Sequence, residues 1–266
     1  MEEAFRLSGL RRLLRSPFAM PDAQNRFLLG SALWFAGAFV PILPGLAVNG
    51  YLVRVMRNAI RGEAAHLPPW EGWSELLIDG LKATVIGLAY LLPGLLVFVT
   101  GFMAYFFMSP MSMIFLGLTR SRGDNSAMML VSVLLGMLFL FVGMAVGSLL
   151  TLLGTIPLPV ALARFVDSGR LADAFSVRVI WRLIRGDAWS YLTVWVVVMG
   201  LIAIVYALYS VFYMTMVLCA IGLIILAPGA FYTAYVAATA FGDFYRQRSA
   251  ASPPDSIATV EPPAAT

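Results

Sequence analysis

The sequence predicts an all-α, polytopic transmembrane helical bundle of about six membrane helices with two to three interfacial amphipathic helices. Three observations carry this reading. Segments 27–53, 83–119, 126–163 and 188–242 contain no Asp, Glu, Lys or Arg, and about 20 apolar residues take a helix across the roughly 30 Å hydrocarbon slab. Charged residues make up 12% of the 266-residue chain and hydrophobic residues 61%, where a soluble domain carries about 25% charge. The net charge of +4 comes almost wholly from Arg placed just outside the apolar runs, with Lys82 the single Lys. That placement marks a membrane surface and an orientation, and excludes nucleic acid as the partner.

Residues 1–26 carry Arg6, Arg11, Arg12, Arg15 and Arg26, with Leu7, Leu10, Leu14 and Phe18 near helical spacing. The pattern is that of a basic interfacial helix on an anionic leaflet, ended by Pro17 and Pro21. No cleaved signal peptide is expected, because the first apolar run starts behind this leader and the later runs keep the chain in the bilayer. Run 27–53 is interrupted by Pro41 and Pro44-Gly45, and Arg54, Arg57 and Arg61 follow on one stripe. Basic residues on both sides of one run conflict with a single crossing. A hairpin of two short helices, 27–40 and 44–61, resolves the conflict, and one kinked span is the alternative.

Trp70, Trp73, Leu77 and Leu81 recur at helical spacing, and Glu71, Glu75 and Asp79 form an i, i+4, i+8 stripe. A short helix lying in the interface is expected here, since Trp favours the headgroup level. Its acidic stripe suits docking on Arg54, Arg57 and Arg61, while a solvated face explains the same spacing. Paired charge reversal at Arg57 and Glu75 is the corresponding test. A crossing from residue 83 to about 108 follows, kinked at Pro93-Gly94, and 109–126 reads as an extracytoplasmic loop.

Run 126–163 places Gly136, Gly143, Gly147 and Gly154 close to one face, and small residues let helices approach closely in lipid. It ends at Ile156-Pro157-Leu158-Pro159, before a second basic amphipathic surface segment over 167–187 with Arg170, Arg178, Arg182 and Arg185. Run 188–242 is long enough for two crossings, near 188–212 and 215–242, the second carrying Ala230, Ala234, Ala238 and Gly242 at i+4 spacing. Asp243, Arg246 and Arg248 mark a cytoplasmic exit. The tail over 246–266 is rich in Pro and too poor in apolar residues to pack, so it reads as disordered. The chain thus divides into a basic leader (1–26), one membrane domain (27–245) and a tail. Within the domain, a proline-broken run, a basic end, a Trp-bearing surface helix and a crossing occur twice. The echo is one of pattern and not of letters, and leaves a weak internal repeat and coincidence both open.

The stretch Asn49-Gly50-Tyr51-Leu52-Val53-Arg54-Val55-Met56-Arg57-Asn58, then Arg61-Gly62-Glu63, Leu67-Pro68-Pro69-Trp70, Trp73-Ser74-Glu75-Leu76 and Asp79-Gly80-Leu81-Lys82 resembles a prokaryotic membrane family, the domain of unknown function numbered 4013. Ser16-Pro17-Phe18, Pro21-Asp22, Ala161-Leu162-Ala163-Arg164-Phe165, Gly169-Arg170-Leu171 and Ala174-Phe175 look like further hallmarks. The resemblance covers about residues 10–245 and is most specific over 67–82. It implies a bacterial or archaeal multi-pass protein of the cytoplasmic membrane and brings no activity with it. Ala64-Ala65-His66 stands where the family would be more acidic.

Chemistry is sparse. The four charge-free runs hold no ionisable Asp, Glu, Lys or Arg to serve a proton relay. His66 is the only His and Cys219 the only Cys, so neither a metal site nor a disulfide framework is expected. Glu63, Glu71, Glu75 and Asp79 could act as acid and base, but their helical spacing reads better as a wet face. No catalytic residue and no cofactor is assigned. Broken helices free backbone groups that can line a path, with Asn49, Tyr51, Thr151 and Thr155 as the polar lining; kinks that only shape the bundle are the other reading. The first functional reading is therefore a non-enzymatic scaffold or complex subunit. It sits among anionic lipid headgroups with both termini cytoplasmic, and packs on other membrane proteins or on itself through Gly143/Gly147 and Ala230/Ala234/Ala238/Gly242. A small-solute transporter or channel is second and a membrane-embedded enzyme third.

Overall fold

The computed structural model describes residues 22–40, 42–63, 66–108, 114, 126–214 and 219–251. Leader residues 1–21, most of the 109–125 loop and tail residues 252–266 lie outside these residues, while 246–251, expected in the disordered tail, continue the last helix. All regular structure among the described residues is helical: α1 (Ala23–Ala36), α2 (Ile42–Arg61), α3 (Trp73–Met108), α4 (Ser126–Thr155), α5 (Leu158–Ser168), a 3₁₀ turn (Leu171–Phe175), α6 (Val177–Gly186), α7 (Ala188–Met214) and α8 (Cys219–Ala251).

Four stretches are long and apolar enough to cross a membrane: Trp73–Met108, Met129–Ser168 (which takes in most of α4 and all of α5), Ala188–Phe212 and Gly222–Ala250. Their outward faces are apolar, with Leu88, Leu92, Leu96, Leu134, Leu138, Phe141, Val196 and Ile204 all exposed. Continuous apolar surface of this extent is an aggregation hazard in water and costs nothing against acyl chains.

The chain divides into two compact units, one built from residues up to Thr84 and from Pro159 onward, the other from Val85 to Leu158. In the first unit α8 is the central helix and packs on α2, α7 and α1. Its most apolar window is 44% buried, against 11% for that of α7. Phe231, Tyr235, Val236, Ala238 and Phe241 supply that buried face.

Helices α1 and α2 are separated at Gly37–Val40 and pack against each other as a hairpin, so 27–61 is two helices and not one kinked span. Pro44 falls in the first turn of α2, where its missing N–H is unsatisfied in any helix. The helix ends in a Schellman motif: Gly62 N–H donates to the Ala59 carbonyl and Glu63 N–H to the Asn58 carbonyl, both at 3.0 Å. Gly62 has φ +76°, the left-handed conformation this cap requires.

Two sequence expectations are corrected. Trp70 is not on a helix, and the segment from Trp73 is not a separate surface helix: α3 runs without interruption from Trp73 through Pro93 to Met108. The basic segment 167–187 is not one surface helix but the end of α5, a 3₁₀ turn and α6. The break expected around Pro157 and Pro159 falls between Thr155 and Leu158, where these prolines each withdraw a backbone donor.

In the second unit the α3 stretch from Val85 and α4 run antiparallel with backbones in close approach. A Cβ on Gly101 would lie 2.7 Å from the Gly143 Cα, and one on Gly147 would lie 2.9 Å from the Phe98 N. Gly94 faces Thr151 and Gly147, and Gly154 faces the Tyr90 carbonyl. Gly94 and Gly101, seven residues apart on α3, thus meet the α4 glycines within the same chain.

Candidate functional site

The first unit holds the densest set of polar and aromatic contacts, where α2 crosses the start of α3. The crossing is set by Gly50 and Gly80. A Cβ on Gly50 would run into the Leu76 carbonyl, and one on Gly80 into the Leu46 carbonyl and, at 2.9 Å, the Gly50 N. The backbones therefore touch, and the side chains flanking each glycine meet across the seam. Asn49 Nδ2 donates to Thr84 Oγ1 at 3.0 Å, and that hydroxyl donates to the Gly80 carbonyl at 2.8 Å. Farther along α2, Arg57 pairs with Asp79 at 2.9 Å and Arg54 with Glu75 at 3.9 Å.

Residues 66–72 are irregular because Pro68-Pro69 cannot donate in a helix and Gly72 adopts φ +66°. The Gly72 carbonyl accepts from Leu76 N–H at 3.1 Å, which starts α3. This loop is tied down by five hydrogen bonds. Tyr51 Oη donates to the Pro68 carbonyl (2.9 Å), and Arg54 Nη1 donates to the Pro69 and Glu71 carbonyls (3.1 and 2.8 Å). Arg26 Nη1 donates to the Leu67 carbonyl at 2.6 Å, while Trp70 Nε1 donates back to the Arg26 carbonyl at 3.0 Å. The Trp70 ring stacks on Tyr51 with centroids 3.9 Å apart and planes 9° from parallel. Phe231 of α8 closes the cluster, 6.0 Å from Tyr51 and 5.6 Å from Phe27, with its ring in the notch left by Gly30.

A second junction lies at the C-terminal end of α8. Tyr245 Oη donates to Asp167 Oδ2 of α5 at 3.0 Å, and Arg246 pairs with Asp243 at 3.1 Å. Gly62 lies against the Arg246 side chain, Gly186 against that of Arg248, and Gly242 against Ala59 and Met56. The ends of α2, α5 and α6 thus converge on one turn of α8.

The remaining sequence-predicted residues are placed as follows. Arg61 and the Glu71 side chain are exposed, and Trp73 is the first residue of α3, its ring 6.0 Å from Trp70. Gly136 is buried on α4. Ala230 and Ala234 are half-buried on α8, and Ala238 and Gly242 are buried. Asn49 and Ala230 line a cavity of about 460 Å³ in the first unit, together with Trp34, Tyr206, Tyr209 and Leu226. Thr151 and Thr155 line a different one, about 320 Å³, in the second unit. Tyr51 is fully buried in the aromatic cluster and lines neither. Sequence reasoning missed Arg26, Phe231, Asp167 and Tyr245. Arg26 reads as one more leader cation and Phe231 as one more apolar residue, so only their distant partners identify them.

Chemically, this arrangement is a latch. Asp79 is held by the Arg57 guanidinium, and the Leu67, Pro68, Pro69 and Glu71 carbonyls each accept from Arg26, Tyr51 or Arg54. Among the described residues no group of three or more His, Cys, Asp or Glu is placed to hold a metal ion. The actual pairing also redefines the charge-reversal test: Arg57 faces Asp79, not Glu75. Arg57→Asp and Asp79→Arg should each destabilise the protein by about 1 kcal/mol, the scale for a partly exposed pair, read as a lower thermal midpoint in detergent. The double exchange should recover most of it; a double variant no better than either single would show that the pair contributes no stability.

The fold and latch define a multi-pass α-helical membrane protein with a cluster of polar contacts where two helices cross. Residues 33–214 match the family described as "Protein of unknown function (DUF4013)", and the chain belongs to that family. No curated protein and no solved structure matches it.

Proposed function

We propose that the protein is a non-enzymatic scaffold or complex subunit of a prokaryotic cytoplasmic membrane. One observation carries this reading. Hydroxyls along the spans bond back to their own helices: Thr100 to Leu96, Thr151 to Gly147, Thr155 to Leu152, Thr193 to Trp189, Ser210 to Tyr206 and Thr233 to Gly229, at 2.6–2.9 Å. Hydroxyls satisfied in this way leave the helix faces apolar and offer little to a hydrated solute. Partner contacts then fall on outer faces of the spans, since the glycines of α3 and α4 already face one another within the chain.

The second reading, a small-solute transporter or channel, is favoured by the cavity that Asn49 lines. Its other walls are mostly apolar and aromatic, which suits a hydrophobic occupant better than an ion. In the topology that accompanies the proposal, the α1–α2 hairpin also enters the bilayer, for six membrane segments, and both termini are cytoplasmic. Arg54, Arg57 and Arg61 stand on that side, consistent with a cytoplasmic excess of basic residues.

Two measurements test this. Affinity purification from native membranes in mild detergent should bring down a defined protein in near-stoichiometric amount. Solute flux through reconstituted vesicles with no such partner would favour transport instead. In a Cys219→Ser background, His66→Cys should react with a membrane-impermeant maleimide only after lysis and Arg120→Cys in intact cells; the reverse pattern overturns the topology.

A further inference from the structure

Helix α6 presents three kinds of surface along ten residues. Ile180 and Ile184 point inward and are buried. Val177 and Trp181, one turn apart, are exposed at 67% and 41%. Arg178, Arg182 and Arg185 form an exposed ridge beside them at i, i+4 and i+7, and the Arg185 guanidinium lies over the Trp181 ring at 5.3 Å. Among the described residues none of these three arginines is paired with a carboxylate. Of the nearest acids in sequence, Asp187 accepts through Oδ1 from Ser190 N–H at 3.3 Å. Just beyond Asp187 the chain enters the spanning stretch Ala188–Phe212, and Trp189 there is 81% exposed. The C-terminal end of α6 is therefore at the edge of the hydrocarbon.

An exposed indole and valine beside unpaired arginines at that depth match one ligand chemistry. Apolar side chains enter the acyl boundary while guanidinium groups, carried outward on flexible stems, meet headgroup phosphates. An acidic protein segment would use the arginines and leave Val177 and Trp181 uncovered; a neutral lipid would use the apolar pair and leave three cations without counter-charge. We propose that α6 is a binding site for anionic phospholipid, with Arg178, Arg182 and Arg185 on phosphate oxygens and Val177 and Trp181 in the acyl boundary. The site rests on the membrane character of the chain and is independent of the scaffold reading, which stands or falls on a co-purifying protein.

The test uses the full chain in mild detergent, titrated with phosphatidylglycerol or phosphatidylcholine and read by native mass spectrometry. The wild type should retain phosphatidylglycerol in preference to phosphatidylcholine. The variant R178Q/R182Q/R185Q should lose that preference by about a hundredfold, three basic residues at about 1 kcal/mol each near an anionic surface. The control R120Q/R122Q, which removes charge from the 109–126 segment, should keep it. R178K/R182K/R185K should keep most of the retention, which guards against a variant that fails to fold. Equal retention of the two lipids by the wild type overturns the site, as does an equal loss in the R120Q/R122Q control. Displacement of phosphatidylglycerol by equimolar inorganic phosphate would reassign the ridge to a free anion and also overturn it.

Discussion

Replacing Gly50 or Gly80 by valine should prevent the protein from reaching its folded state. At both positions the added carbon meets backbone of the opposing helix, which cannot rotate aside as a side chain can. Overpacking a close contact costs about 1–3 kcal/mol and more where no rotamer relieves it. Here the helices must separate, which also pulls apart Asn49–Thr84 and Arg57–Asp79, so the loss should exceed about 3 kcal/mol. Thermal unfolding in detergent, followed by size-exclusion recovery, measures it. Gly45→Ala on the same α2 is the control, since nothing lies within 4 Å of a Cβ there. Comparable loss in the control would remove the crossing as the cause.

Phe231→Ala should have the next largest effect. The ring is fully buried and fills the notch at Gly30 between Phe27 and Tyr51. Aromatic-to-alanine changes in protein cores cost about 3–5 kcal/mol. The lower end is expected here, because lipid-solvated apolar groups gain mainly from packing. Gly30→Val should also destabilise, by driving the Phe231 ring out of its notch. The double variant should cost less than the two singles added, by about 1 kcal/mol or more. Strict additivity would mean that the ring and the notch do not depend on each other.

Much of the helical inventory was legible because charge-free runs leave the backbone no water to bond with, and a helix satisfies it internally. The hairpin was legible from charge: Arg on both sides of 27–53, with Pro41 and Pro44-Gly45 between, is hard to reconcile with one crossing. The continuity of α3 was not. Trp70, Trp73, Glu75 and Asp79 look like a helix lying flat at a surface when each is assumed to need lipid headgroups or water. In the structure Asp79 and Glu75 are answered by arginines of α2, so the helix can carry them and run on to Met108. The Trp70–Trp73–Leu77 spacing misled because Pro68-Pro69 and Gly72 override periodicity. The glycines of α4 were visible as a close-packing face, but a lone chain gives no sign of which surface they meet, and Gly94 and Gly101 lie within α3 itself. The motif residues that carry the family resemblance, Asn49-Gly50-Tyr51 and Asp79-Gly80, coincide with the crossing. Their residue types fit the contact geometry of the crossing.

The position of α8 has a consequence for biosynthesis. Domains and their parts emerge in chain order during synthesis, so the short α1–α2 pair leaves the ribosome long before the helix that Phe231 brings to it. Until then the Gly30 notch faces lipid or an insertase, and a nascent chain arrested ahead of Cys219 should be held by the insertion machinery or degraded.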